Sequence, residues 1–249
     1  MNHKKNNHLT TAMVLAAGLG TRMRPLTNHT PKSLVKVGSK PLIDWVLDAL
    51  TTAGIKTAYV NVHHLADRVR NHLVLRESPE IYISDESEQL LDSGGGVQKA
   101  LELIDVDDVI VANGDSIWID QSTSAIGYLM QYWNPETMDA ALLLTPVETA
   151  VGFDGPGDFN MNADGYPIRR PANGTARFAY MGLQVLNRRL FQTCPEPPFS
   201  LNVLWDRAIE ENRLGAVVYD GNWFHVGTLE AIVNAEAGLS QLGVLQTND

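Results

Sequence analysis

Apolar runs of strand length alternate with segments of helical spacing through the first half of the chain. Residues 11–17 (T-A-M-V-L-A-A) form a short apolar run ending at a glycine, which predicts a buried strand. In residues 41–53 the apolar positions Leu42, Ile43, Val46, Leu47 and Leu50 share one helical face, with Pro41 at the first turn and Gly54 as the stop. The same reading predicts strands at 57–62, 80–84, 108–112 and 140–144, and helices at 65–75, 97–104 and 122–133. This alternation predicts an α/β fold, a mostly parallel (mixed) sheet flanked by helices. Such sheets bind ligands at the carboxyl ends of their strands. That rule selects three loops, at 18–24, 91–96 and 113–115.

The second half is less regular. Residues 152–170 are rich in Gly, Asp and Asn and predict a hairpin turned at Asp164-Gly165. The stretch D-F-N-M-N-A-D-G is not a calcium loop: Ala163 stands where glycine is needed and Arg169 where glutamate is needed. Strands are expected at 179–186 and 217–219, and helices at 202–212 and 230–239. No internal repeat or linker interrupts the chain, so one domain is expected over 11–249, with residues 1–10 as a disordered polar leader.

A hydrophobic content of 44% supplies enough material for a real core, and no apolar run is long enough to span a membrane. The single cysteine, Cys194, cannot form an internal disulfide, so a reducing cytoplasm is the expected setting. A net charge of −10 argues against nucleic acid as a partner. Its distribution points elsewhere. No acidic residue precedes Asp44, whereas Arg22, Arg24, Lys32, Lys36 and Lys40 all do, which predicts a local anion site.

The strongest motif is L-A-A-G-L-G-T-R-M-R-P at residues 15–25, followed by Thr30-Pro31-Lys32. A strand runs into a loop in which Gly18 and Gly20 let the backbone turn tightly and aim N–H groups at an anion. Arg22 and Lys32 supply charge for phosphates. The motif lacks the G-K-[ST] ending of a P-loop and the G-x-G-x-x-G spacing of a dinucleotide site. Asp115 closes V-I-V-A-N-G-D at a predicted strand end. A carboxylate there suits Mg²⁺, although Asn-Gly by itself is a common turn. Asp92-Ser93-Gly94-Gly95-Gly96 leads into a helix, and its missing side chains would let a base or sugar lie against the backbone. His63 and His64 are adjacent on a strand and point to opposite faces, so they are not a metal pair. Trp118, Trp133 and Trp205 lie in apolar surroundings and are expected in the core.

Taken together, residues 15–25, Asn113-Gly114-Asp115 and residues 223–228 resemble the sugar-1-phosphate nucleotidyltransferase family, whose members activate sugar 1-phosphates. The resemblance implies a single Rossmann-like domain, a nucleoside triphosphate and a sugar 1-phosphate as partners, and Mg²⁺ as cofactor. It implies that Ala16, Ala17, Gly18, Gly20, Thr21, Arg22, Lys32, Gly94, Gly95 and Asn113 bind the nucleotide. Arg22 and Lys32 would hold the outgoing pyrophosphate, and Asp115 would bind the metal. Gly182, in Ala179-Tyr180-Met181-Gly182, resembles the glycine whose backbone contacts the sugar. Asn202, Asp115 and His225 would complete the sugar side, while Ser200 is equally well explained as a helix N-cap.

The form [ED]-[ST]-G-G-G followed by a short helix resembles the uridylyltransferases acting on N-acetylmuramate 1-phosphate in bacterial wall recycling, and implies UTP. The alternatives are a guanylyltransferase for mannose 1-phosphate or another hexose phosphate, and a catalytically inactive nucleotide sensor. Arg22, Lys32 and Asp115 are all present, against the last of these. The implied assembly is a monomer or homodimer. One departure stands out. Many members carry an aspartate in W-x-D-x-G-T, where this chain reads Trp223-Phe224-His225-Val226-Gly227-Thr228. A neutral imidazole is a poor Mg²⁺ ligand. Asp115 is therefore expected to be the one direct protein carboxylate on the metal, with His225 donating a hydrogen bond to a phosphate or a metal-bound water.

Overall fold

The computed structural model describes residues 9–120 and 123–245. In chain order these form β1 (Thr11–Leu15), β2 (Lys36–Val37), β3 (Lys40–Pro41), α1 (Leu42–Thr52), β4 (Thr57–Val62), α2 (Ala66–Leu73), β5 (Glu80–Asp85), α3 (Asp92–Leu101), β6 (Asp108–Asn113) and β7 (Ser116–Ile119). There follow α4 (Ala125–Tyr132), β8 (Ala140–Pro146), β9 (Phe159–Met161), β10 (Pro167–Arg169), β11 (Phe178–Asn187), α5 (Leu201–Glu210), β12 (Leu214–Val218), β13 (Asn222–His225) and α6 (Leu229–Gln241).

The central sheet runs β10-β9-β11-β6-β1-β4-β5, with β8 branching from β11 and β12 from β8. Strands β6, β1, β4 and β5 are parallel neighbours. Strand β11 then runs antiparallel to β6, β8 and β9, so the second half closes the sheet in the mixed manner expected. One face carries Val14, Val60 and Ile110 against Val46 and Leu47 of α1, Val69 of α2 and Leu129 of α4. The other carries Met13 and Val111 against Val97 of α3 and Leu204 of α5. Helix α6 covers a separate small cluster with Met23, Val35 and Phe224. Burial on both faces is what a parallel sheet requires, and it fixes β1 and β6 at the centre.

Several expected elements shift for identifiable reasons. Strand β1 stops at Leu15, because the N–H groups of Ala16 and Ala17 turn to the Asn61 side chain. Helix α3 starts at Asp92 rather than at residue 97, so the three glycines lie inside the helix and not in a loop. The expected start of the fourth helix at Ser122 lies outside the described residues; α4 begins after Ser124, whose hydroxyl caps Gly127 N–H. The pairs β2–β3 and β7–β13 were not anticipated, being two to four residues long and defined by pairing. The hairpin at Asp164-Gly165 is formed by β9 and β10. Most of the polar leader lies outside the described residues. Its last two residues belong to the fold: Leu9 is buried, and the Thr10 carbonyl accepts N–H bonds from Lys56 and Thr57. The three tryptophans are buried as expected, with Trp118 donating to the Met181 carbonyl and Trp205 to Gln184.

Candidate active site

A cavity of about 530 Å³ opens at the carboxyl ends of β1, β4, β5 and β6. Its walls include residues 15–18, Lys32, Asn61, Glu86, Asp92, Ser93 and residues 113–115. Two of the three loops selected from sequence reach it, one through Gly18 alone and one through residues 113–115. The third enters through Asp92 and Ser93, not through its glycines.

The glycine loop is set by Gly20. At φ +60° it occupies the left-handed region, and a Cβ there would fall 2.9 Å from Thr27 and 3.0 Å from Lys32. The Thr27 hydroxyl donates to the Gly20 carbonyl at 2.7 Å and pins the turn. Gly18 differs, since a Cβ on it would meet nothing within 4 Å; its missing side chain leaves open cavity. Thr21 and Arg22 form an exposed single turn beyond it, and Arg22 has no hydrogen bond or ion pair among the described residues.

Lys32 and Asp115 form an ion pair on the cavity wall, with side chains only 16% and 18% exposed. Burial alone pushes the Asp115 carboxyl up. The Lys32 ammonium and the nearby His225 outweigh it and hold Asp115 below the ordinary carboxylate range. The other basic residues of the opening segment do not all converge. Lys40 pairs with Asp48 at 2.5 Å and lies over Trp45, and Lys36 is exposed. The predicted five-charge anion site is thus narrowed to Lys32 on the cavity wall; Arg22 is not part of the lining and lies beside His225, at a corner next to Asp115 that forms the rim of the site.

His225 reaches this centre through backbone pairing. In the β7–β13 ladder it lies opposite Ser116, and the next N–H, of Val226, donates to the Asp115 carbonyl at 3.0 Å. A Cβ on Gly227 would fall 2.6 Å from the Arg22 guanidinium and 2.8 Å from His225 Nε2, so both heads share that corner. Burial lowers the His225 pKa; Asp115 acts in the opposite direction, and Lys32 and Arg22 lower it further. The net shift favours the neutral imidazole, and its ring nitrogens hold no hydrogen bond from the described residues.

Gly182 sits at the irregularity where β11 shifts register against β8. Its φ is +71°, and a Cβ would strike Ser116 Oγ at 2.5 Å and Asn113 Cβ at 2.9 Å. The close approach of β11 to the Asp115 strand end depends on that glycine. Asn202 stands apart from the cavity walls: it is exposed on the first turn of α5, with its carbonyl held by Arg169. Ser200 is the N-cap of that helix, its hydroxyl accepting from Asn202 N–H.

Gly94 and Gly95 are placed differently from expectation. Both are buried, both donate N–H bonds to the Phe199 carbonyl, and added Cβ atoms would strike Phe199 at 2.4 Å and Pro197 at 2.9 Å. They make room for the 197–199 segment, not for a ligand. Ala16 and Ala17 do line the cavity, but their N–H groups are spent on Asn61 Oδ1 at 2.6 and 3.2 Å. Asn61 and Glu86, two buried polar residues of the cavity wall, carried no motif by which sequence could find them. His63 and His64 turn to separate backbone carbonyls, of Glu86 and Thr27.

A family model for nucleotidyl transferase matches residues 11–241. The N-acetylmuramate alpha-1-phosphate uridylyltransferase of Caulobacter vibrioides is 45% identical over 92% of this chain and 97% of its own length. The protein of the same name from Neisseria meningitidis is 31% identical over 91% of this chain and 96% of its own length. Mannose-1-phosphate guanyltransferases stand further off, at 25% to 27%. A solved UDP-glucose pyrophosphorylase, complexed with UDP-glucose, shares the fold with a TM-score of 0.77 at 17% identity, covering 94% of this chain and 99% of that one. With a glycine loop, a charged strand end and a family match over nearly the whole domain, the chain belongs to the nucleotidyl transferase family.

Proposed function

We propose that the protein transfers a uridylyl group from UTP to N-acetylmuramate 1-phosphate, giving UDP-N-acetylmuramate and pyrophosphate. The observation that carries this reading is the Lys32–Asp115 pair at the wall of a cavity entered by a glycine loop. The names of the full-length relatives support the base and the sugar. The attacking group is already an anionic phosphate oxygen, so no general base is needed, and the work is alignment and charge neutralisation. That oxygen attacks the α-phosphorus in line. The bond to the bridging oxygen breaks and pyrophosphate leaves with the electron pair. Arg22 and Lys32 neutralise the charge that builds on it, and His225 donates a hydrogen bond to a phosphate.

The residues fit Mg²⁺. Asp115 is kept ionised at the cavity wall and offers a single carboxylate. Such a site leaves most of the coordination shell to phosphates and water, the mode Mg²⁺ favours. Asp115 would hold the ion, which when bound neutralises phosphate charge. No helix among the described residues is long and apolar enough to cross a membrane. We place the enzyme in the cytoplasm as a monomer or homodimer.

The test is a panel of UTP, GTP, CTP, ATP and dTTP against several sugar 1-phosphates, read by pyrophosphate release. UTP with N-acetylmuramate 1-phosphate should give the highest kcat/KM. A higher value for GTP with mannose 1-phosphate would overturn the substrate, and no pyrophosphate from any pair would overturn the activity.

A further inference from the structure

Beneath the cavity a buried polar relay joins three separate segments. Asn61, at 3% exposure on β4, accepts the N–H groups of Ala16 and Ala17 with Oδ1. Its amide nitrogen donates to Glu86 Oε1 at 2.7 Å. Glu86, at 1% exposure, accepts Leu91 N–H on Oε2 at 3.1 Å, and its backbone carbonyl is held by His63 at 2.7 Å. The orientation of the amide is fixed chemically, because a flipped Asn61 would set its NH₂ against two N–H donors and its oxygen against a carboxylate. Gly96 leaves room for the pair: a Cβ there would lie 2.7 Å from Glu86 Oε1 and 2.9 Å from Asn61 Nδ2.

We infer that Asn61, anchored by Glu86, is a positioning residue for the nucleotide. The inference rests on the reading of the cavity as a nucleoside triphosphate site. Asn61 draws the chain out of β1 at Ala16, and so sets where the loop from Gly18 to Arg22 begins. Glu86 ties the same point to Leu91, and thereby to the opposite wall at Asp92 and Ser93. The width of the cavity is thus held by side-chain hydrogen bonds within the protein itself. Both partners are shielded from water, so loss of either leaves a buried polar group unpaired. The floor meets the nucleotide alike in ground and transition states, so disturbance should appear in KM more than in kcat.

Asn61→Asp keeps the acceptor for Ala16 and Ala17 but removes the donor to Glu86. Two buried carboxylates at hydrogen-bond distance must then share a proton. With that proton present the relay survives; once it is lost the two anions repel. The other ionisable groups of the cavity wall are Asp92, Lys32 and Asp115, and His63 holds the Glu86 carbonyl; all are unchanged in the variant. In Asn61→Asp combined with Glu86→Gln, the amide introduced at position 86 donates to the carboxylate introduced at position 61. The oxygen of that amide accepts Leu91 N–H, so every group is again satisfied.

The experiment measures KM for UTP and for the sugar 1-phosphate from pH 6 to 9 in wild type, the single variant and the double variant, with thermal melts as a check on folding. At pH 8, Asn61→Asp should raise the UTP KM about tenfold or more, the size expected for an unpaired buried group. The sugar-phosphate KM and kcat should change little. The deficit should shrink towards pH 6, and the double variant should restore the UTP KM with a flat pH profile. A wild-type UTP KM in Asn61→Asp at every pH would overturn the inference. So would a double variant that is folded yet no better than the single one. If wild type itself does not turn over UTP, the functional reading fails instead.

Discussion

At the floor of the cavity the polar groups are engaged within the protein: Ala16 and Ala17 with Asn61, Asn61 with Glu86, and Glu86 with Leu91. At the rim, Arg22 and His225 crowd against Gly227 without a hydrogen bond from the described residues. The floor is braced by bonds within the protein, and the polar heads at the rim make none with the described residues. Preformed bonds at the floor lower the ordering cost of binding the nucleotide. Free heads at the rim are available for charge that develops only as pyrophosphate departs. Asp115 stands where the two meet, paired with Lys32 and backed by the β7–β13 ladder. Floor changes should therefore act on KM and rim changes on kcat.

The largest effect is expected at the junction. Asp115→Asn should lower kcat roughly a thousandfold, the upper end for losing one preorganised charged group. Unchanged Mg²⁺ dependence in an active Asp115→Asn enzyme would show that the metal lies elsewhere. Next comes the rim. Arg22→Ala should lower kcat about a hundredfold and leave the melting temperature unchanged, because Arg22 is exposed and supports nothing. A raised UTP KM with normal kcat would erase the distinction between floor and rim.

His225→Asp is expected to stay within about tenfold of wild type, since the hydrogen bond that His225 donates to a phosphate is exchanged for a second carboxylate able to ligate Mg²⁺. Loss as deep as that of Asp115→Asn, in a folded protein, would give the histidine a specific role. The smallest effect lies away from the cavity. Burial alone raises the Asp48 carboxyl, but Lys40 and Arg76 outweigh it and hold it below its ordinary value. The stability that this pairing contributes is complete at neutral pH and is lost as the pH falls through the lowered value. Arg76→Ala should cost about 1 kcal/mol or less at pH 7, less still in acid, with kcat and KM untouched. A change in turnover would show that the scaffold and the site are coupled.

The parallel half of the fold was legible because each element declares its own period. Strand β4 spans 57–62 as predicted, and α1 follows its apolar stripe to within two residues. Lys32 and Asp115 were legible for a different reason: Lys32 follows the glycine-loop motif and Asp115 closes a predicted strand, the positions that the family resemblance marks, and the fold brings them together across 83 positions. Gly94 and Gly95 misled. A missing side chain reads alike whether it makes space for a ligand or for a neighbouring segment, and here the neighbours are Phe199 and Pro197. Asn61 and Glu86 were invisible because a single amide and a single carboxylate, 25 residues apart, have no pattern until the sheet sets β4 beside β5. The β7–β13 pair escaped on the same ground, since its few residues gain their conformation from each other.

The claim beneath all of this is a single in-line displacement at the Asp115 cavity, with no nucleotidyl group ever attached to the protein. Exchange of labelled pyrophosphate into UTP tests it directly. With UTP and labelled pyrophosphate alone, no label should enter UTP. When UDP-N-acetylmuramate is added, labelled UTP should form, because the reverse reaction then runs through the same transition state. Label entering UTP without any sugar present would demonstrate a covalent nucleotidyl-enzyme and contradict the account.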